Sequence, residues 1–175
     1  MNKFQLLFLV LVICFKSAKS SQRQVNPNKV LNLLYEQHVM YRSWHQVDPL
    51  QIDPEIEIYA QNYSEYLAAN RKNKVVHSHG PYGENILRSG TNIAEKLGSY
   101  YWYNEVKKLN FSKPEYNGGV GHFTQLVWKD TKKIGCGVSQ SGGDVFTVCN
   151  YSPRGNFKST LALKTNVLPR RKDSE

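Results

Sequence analysis

Gly121-His122-Phe123-Thr124-Gln125-Leu126-Val127-Trp128 and Cys149-Asn150-Tyr151-Ser152-Pro153-Arg154-Gly155-Asn156-Phe157 are the two stretches whose reading decides the fold. From Phe123 to Trp128 the first predicts a short helix, apolar except at Thr124 and Gln125. Between the two stretches lie β-prone segments, Ile134 to Ser139 and Val145 to Tyr151. Ser141-Gly142-Gly143-Asp144 separates them and is a turn signal, so they are expected to form a hairpin. Gly155-Asn156 reads as a further tight turn and Trp128 as a core anchor.

Upstream the pattern is helical. Asn26-Pro27 opens a periodic run with Val30, Leu31, Leu34, His38 and Tyr41 on one side. Asp53-Pro54-Glu55 is a stronger start: an acid at the cap, proline in the first turn, then a second acid near the positive helix end. Ile56, Ala60, Tyr63 and Leu67 follow at helical spacing. A third helix is expected from Asn92 to about Leu109, with Glu95 completing a capping box and Gly98 a local weak point. Val75-Val76-His77 reads as a brief strand extending the hairpin sheet, and 110–121, with Pro114 and several glycines, as a loop.

The N-terminus reads as a targeting segment. Lys3 precedes an unbroken apolar run from Leu6 to Phe15, and Ala18-Lys19-Ser20 has small residues where a signal peptidase needs them. The run is short of the roughly 20 residues that span a bilayer, and Asn2 stands where N-myristoylation needs glycine. Residues 1–20 are therefore expected to be removed and the protein secreted. The net charge of +9 less Lys3, Lys16 and Lys19 leaves +6 on the mature chain. Such a charge suits anionic headgroups or acidic glycans, and peripheral membrane contact, rather than nucleic acid, for which no basic stripe with interleaved aromatics is present. About 155 residues suit one domain with one core, bounded at 26–167 and followed by a basic, flexible tail at 168–175. Cys14 leaves with the leader, so Cys136 and Cys149 remain as an even pair in an oxidising compartment. A cross-strand disulfide contributes about 3 kcal/mol in the chain-entropy model. A metal or catalytic thiol pair would need C-x-x-C spacing, which is absent. Asn62-Tyr63-Ser64 and Asn110-Phe111-Ser112 are glycosylation sequons.

Taken in order, the two opening stretches resemble the paired signatures of the CAP superfamily: cysteine-rich secretory proteins, insect antigen 5 and plant pathogenesis-related proteins. Among these the chain is most similar to the Golgi-associated, plant pathogenesis-related-like single-domain members. The resemblance covers Asn26 to Val167. It implies an α+β fold, an α/β/α sandwich with a small antiparallel sheet between helices, which agrees with helices early and strands late in the chain. It also implies that His77, Glu84, Glu105 and His122 converge in one cleft: His77-Ser78 and His122 match the histidine positions, Gly83-Glu84-Asn85-Ile86 and Trp102-Tyr103-Asn104-Glu105 the acidic ones. His79 is a competitor for His77, since alternate residues of an extended strand face the same way. Departures from the pattern include His38-Val39 for the family's His-Asn and Thr147 at a usually apolar position. One bridge replaces the three of plant members, and no cysteine-rich C-terminal module follows, so channel blockade finds no support.

Chemically the tetrad admits three readings. A hydrogen-bonded network could fix sheet to helices. His77 and His122 with a carboxylate could hold Zn²⁺ with an open position. Glu84 or Glu105 could serve as a general base beside a histidine, although no nucleophile is evident. The sequence therefore favours a secreted binding protein needing no cofactor, with zinc as an option. Its expected ligand is a lipid or sterol, docked where Phe111, Pro114 and Tyr116 supply apolar loop surface. The alternatives are a zinc-dependent extracellular peptidase using the His/Glu cleft, and a module recognising an extracellular protein in defence or reproduction.

Overall fold

The computed structural model describes residues 22–70 and 75–171. The expected leader lies outside these residues. Helix α1 (Pro27–Trp44) begins where Asn26 accepts a hydrogen bond from the Lys29 amide, with proline in the first turn. It buries Val30, Leu34, His38 and Tyr41, the stripe its periodicity marks. Strand β1 (Gln51–Ile52) leads to α2 (Pro54–Ala69), whose Asp53 cap accepts from the amides of Glu55 and Ile56. The third expected helix is broken. It forms α3 (Thr91–Leu97), α4 (Tyr100–Tyr103) and a 3₁₀ turn (Asn104–Lys108). Gly98 makes the break at φ +50°, and the Ser99 amide and hydroxyl both donate to the Gln37 side-chain Oε1 on α1. Glu95 caps nothing in its own helix. Its carboxylate accepts from the Asn26 amide and pairs with Arg23 and Lys29, which ties the N-terminal segment down.

The sheet holds β2 (Gly83–Gly90), β3 (Lys133–Ser141) and β4 (Asp144–Ser152) in the order β1-β3-β4-β2. β3 and β4 are the expected hairpin, longer at both ends, and Cys136 faces Cys149 across it in a disulfide. Two expectations are corrected. Val75 and Val76 form no strand and are exposed; the edge beside β4 is taken by β2. Nor is the sheet purely antiparallel, because β1 runs parallel to β3 through Gln51↔Lys133 and Ile52↔Ile134. The order of helices and strands nevertheless gives an α+β sandwich.

Pleating divides the side chains between two layers. Ile86, Phe146 and Val148 pack with Ala60, Leu67 and Ala68 of α2. Val145, Cys149 and Tyr151 face the opposite layer with Leu34, Trp102 and Trp128, and with Phe123 of α5 (Gly121–Leu126). Thr147, the departure noted in the sequence, is buried, and its hydroxyl has no hydrogen-bond partner among the described residues.

The C-terminal segment is docked rather than flexible as far as it is described. After α6 (Thr160–Asn166), the Leu168 carbonyl accepts from His45 and the Arg171 amide donates to the Trp44 carbonyl. Arg170 lies over the Trp44 ring, 4.4 Å from its centroid. The remainder of the expected tail, 172–175, lies outside the described residues.

Candidate functional site

β2 places two consecutive polar residues on opposite faces of the sheet. Glu84 lies on the face that α2 covers and Asn85 on the other, as strand alternation requires. Both oxygens of Glu84 are engaged. One accepts from His77 Nδ1 and the Ser78 amide, each at 2.8 Å, and the other from Asn150 Nδ2 at 3.2 Å. Burial pushes the Glu84 carboxyl up, but the bonds from His77, Ser78 and Asn150 outweigh it and hold the group below the usual carboxylate value. The bond to Glu84 raises the His77 imidazole against a smaller opposing effect of burial. The pair is therefore favoured as an ion pair between these two displaced values. Below that window Glu84 takes a proton; above it His77 loses one. His77 is more than half exposed, so the pair contributes little to stability.

Both histidines border the cleft, but only His77 bonds to Glu84; His79 sits at φ +56° rather than on an extended strand, so it reaches the cleft without the alternation the sequence suggested.

His122 and Glu105 form the second pair. His122 Nδ1 meets Glu105 Oε1 at 2.8 Å, and the ring stacks on Trp102. The other Glu105 oxygen accepts from the amides of His122 and Phe123. That carboxylate caps the first turn of α5, whose own N-cap residue, Val120, supplies no side-chain bond.

A cleft of about 570 Å³ opens at the end of the sheet, walled by Tyr82, Tyr116 and Phe157 and by His77 and Glu84. Glu105 and His122 do not line it. Two His/Glu pairs result, with one at the cleft and the other capping α5 beside it. Tyr116 borders both: it lines the cleft, and nearby Glu105 adds to the effect of burial in raising its phenol.

For zinc, both Nδ1 atoms being held by carboxylates would leave the Nε2 atoms to coordinate, a familiar outer-shell pattern. The inner shell does not assemble, however. Among the described residues no group of three or more His, Cys, Asp or Glu side chains is placed to hold a metal ion.

Sequence reasoning missed the buried relay that joins the two pairs to the core. His38 Nδ1 donates to the Leu34 carbonyl, and Tyr151 donates its hydroxyl to His38 Nε2. Asn85 Nδ2 then donates to the Tyr151 oxygen and to the His122 carbonyl. Asn85 and Tyr151 are one residue from Glu84 and Asn150, so the relay and the Glu84 pair share two strands. Helical periodicity marked His38 as inward, but its partner lies 113 positions away.

Burial lowers the His38 imidazole to about 4, against a smaller raising effect of the bond to Leu34 and with a further lowering from the nearby Arg42 charge. A histidine kept neutral in the fold contributes stability that is complete above the unfolded value near 6.5. That stability is lost as pH falls toward 4. We predict a loss of up to about 3 kcal/mol over this interval, read from urea titrations at several pH values. In His38→Gln the acid-side slope should flatten, leaving the contribution of His45, which burial lowers in the same direction.

The remaining expected positions are accounted for. Phe111 packs on His45 and Phe123, and Pro114 is buried, so this loop covers the core and offers no apolar dock; only Tyr116 reaches the cleft. Asn62 is exposed on α2 and Asn110 just after the 3₁₀ turn. Among the described residues no helix is long and apolar enough to cross a membrane.

Comparison with known proteins gives this arrangement its relatives. Residues 35–151 match the model of the cysteine-rich secretory protein family, CAP. The chain is 40% identical over 157 residues to Golgi-associated plant pathogenesis-related protein 1 of Homo sapiens, covering 88% of this chain and 99% of that protein. It is 35% identical over 148 residues to pathogenesis-related protein 1 of Arabidopsis thaliana, covering 84% of each. Among solved structures, Na-ASP-1 superimposes with a TM-score of 0.62 at 26% identity, over 79% of this chain and 42% of that one. Venom allergen-like protein 4 of Schistosoma mansoni gives 0.63 at 20% identity, over 83% and 97%. With a matching family model over most of its length and relatives of 35–40% identity along nearly all of it, the chain belongs to the cysteine-rich secretory protein family.

Proposed function

We propose that this is a secreted binding protein that holds a lipid or sterol in the cleft beside His77 and Glu84. Family membership supports an extracellular-type binding or defence module in general; the ligand class is our own reading. The observation that carries it is the composition of the cleft wall. Tyr82, Tyr116 and the largely exposed Phe157 present aromatic surface around a volume suited to a small molecule. Glu84 already accepts from three protein donors, which suits a fixed framework better than a group that must exchange a proton during turnover.

The test is equilibrium uptake of a radiolabelled sterol and a fatty acid by the purified mature protein. Saturable, stoichiometric uptake that Phe157→Ser weakens at least fivefold, with the melting temperature unchanged, is the expected result. A folded protein that takes up neither ligand rules the reading out and returns attention to protein partners.

A further inference from the structure

We infer that the cleft selects an anionic amphiphile, with Arg154 and Lys158 receiving its acid group and Tyr82, Tyr116 and Phe157 its apolar body. This rests on the binding reading above and specifies its ligand. The inference follows from which polar groups at the cleft are already spent.

Gln125 accepts from the Gly155 amide and donates to Thr131. Asn156 accepts from Thr124 and donates to the Gly121 carbonyl. Ser78 is engaged by Tyr59 and the Gly80 amide. Glu84, the one acid lining the cleft, has donors on both oxygens and is matched by His77. At Gln125, Asn156 and Glu84 a ligand would have to share or displace a bond within the protein, so these side chains favour no particular head group.

The basic groups are in a different condition. No hydrogen bond or ion pair joins Arg154 to any described residue, and its side chain is exposed at the rim. Lys158 holds its ammonium over the Tyr116 ring, 5.5 Å from the centroid, which leaves its three N–H donors available. The two lie on the segment after β4, four residues apart, and line the cleft together with Phe157. The unmatched charge at the cleft is therefore positive, and it is set beside aromatic faces. Its complement is an oxyanion on an apolar body, with the guanidinium able to grip two oxygens at once. Carboxylate, sulfate and phosphate heads share this chemistry.

Matched pairs of ligands that differ only in the head test it: dodecanoate against dodecanol, and a sterol sulfate against the free sterol, titrated below their aggregation limits at low and high salt. The expected result is at least tenfold tighter binding of each anion, weakening as salt rises. In Arg154→Gln/Lys158→Gln the anion should lose that advantage while the neutral partner binds as before, with the melting temperature unchanged in both. Equal affinity for charged and neutral heads, or an unaltered preference in the double variant, overturns this inference but leaves a binding cleft in place. Failure of all four ligands to bind the folded protein overturns the binding reading itself.

Discussion

Gly137→Ala should cost more than about 3 kcal/mol and leave little folded protein at 37 °C, although it adds one methyl group. An alanine Cβ at this position would stand 2.4 Å from the backbone N and Cα of Gln61 and 2.6 Å from the carbonyl carbon of Ala60. At Gly135 the clash is closer still, 2.1 Å from the Glu57 amide nitrogen. In both cases the obstacle is main chain, which cannot swing aside as a long side chain can. Relief would require α2 to rise off β3 along its length. That shift would break the bonds by which Gln61 seats the helix, from its amide to the Val138 carbonyl and from the Val138 amide to its side-chain oxygen. It would also open the small core of Ala60, Leu67, Phe146 and Val148. Chemical denaturation with far-ultraviolet circular dichroism measures the effect. A control at Gly118, where an added Cβ meets nothing within 4 Å, should unfold at nearly the wild-type midpoint. A wild-type midpoint for Gly137→Ala would show that α2 is not seated as described.

The alternation of glycine with other residues along β3 was visible in the sequence, yet its meaning was not. Gly135 and Gly137 read as ordinary members of a hairpin strand because the object they accommodate, the α2 backbone, is some 75 positions earlier. The same limit explains what was and was not legible elsewhere. Helices α1 and α2 were readable because cap, proline and stripe are all local in sequence. The hairpin was readable because Ser141-Gly142-Gly143-Asp144 and the flanking β-prone runs are adjacent. Strand β2 escaped because its two large apolar residues, Ile86 and Leu87, are adjacent, so Gly83 to Gly90 shows no alternation, and its place in the sheet is set by pairing with β4. The break at Gly98 was marked as a weak point, but the decisive contact, Gln37 taking the Ser99 amide, is tertiary. At the site, each His/Glu pairing is a real contact in the structure. Their distribution, one pair at the cleft and one capping α5, depends on strand alternation at Glu84 and Asn85 and on the missing cap at Val120. A resemblance in motif residues carries neither.

Arg42→Met should destabilise the protein by roughly 4 kcal/mol or more, and Arg42→Lys should recover little of the loss. Arg42 is fully buried, and its hydrogen-bond partners are backbone carbonyls rather than a carboxylate. Its Nε donates to Asp48, one terminal nitrogen to both Leu126 and Trp128, and the other to Thr131. Burial lowers the guanidinium to about 10, partly offset by Tyr151 and Asp48, so it remains charged at neutral pH. Such a burial is tolerated because four oriented carbonyl dipoles replace the lost hydration. Methionine matches the stem of the side chain but strands the Asp48, Leu126 and Thr131 carbonyls, each at about 1 kcal/mol or more, and leaves the Trp128 carbonyl only the Thr131 amide. Lysine keeps the charge, yet a single ammonium with three donors cannot reproduce a planar fork that reaches the chain before β1 and both ends of the 126–131 turn. The consequence extends to the site. The 126–131 turn joins α5 to β3, so loosening it releases the helix that carries His122 and the Gln125 side chain that holds Gly155 at the cleft. Measured by urea unfolding, Arg42→Met should lose stability globally, and amide exchange should show earliest opening at residues 121–131. If Arg42→Lys unfolds at the wild-type midpoint, the carbonyl cage is not what secures this turn, and packing of the stem alone must be sufficient.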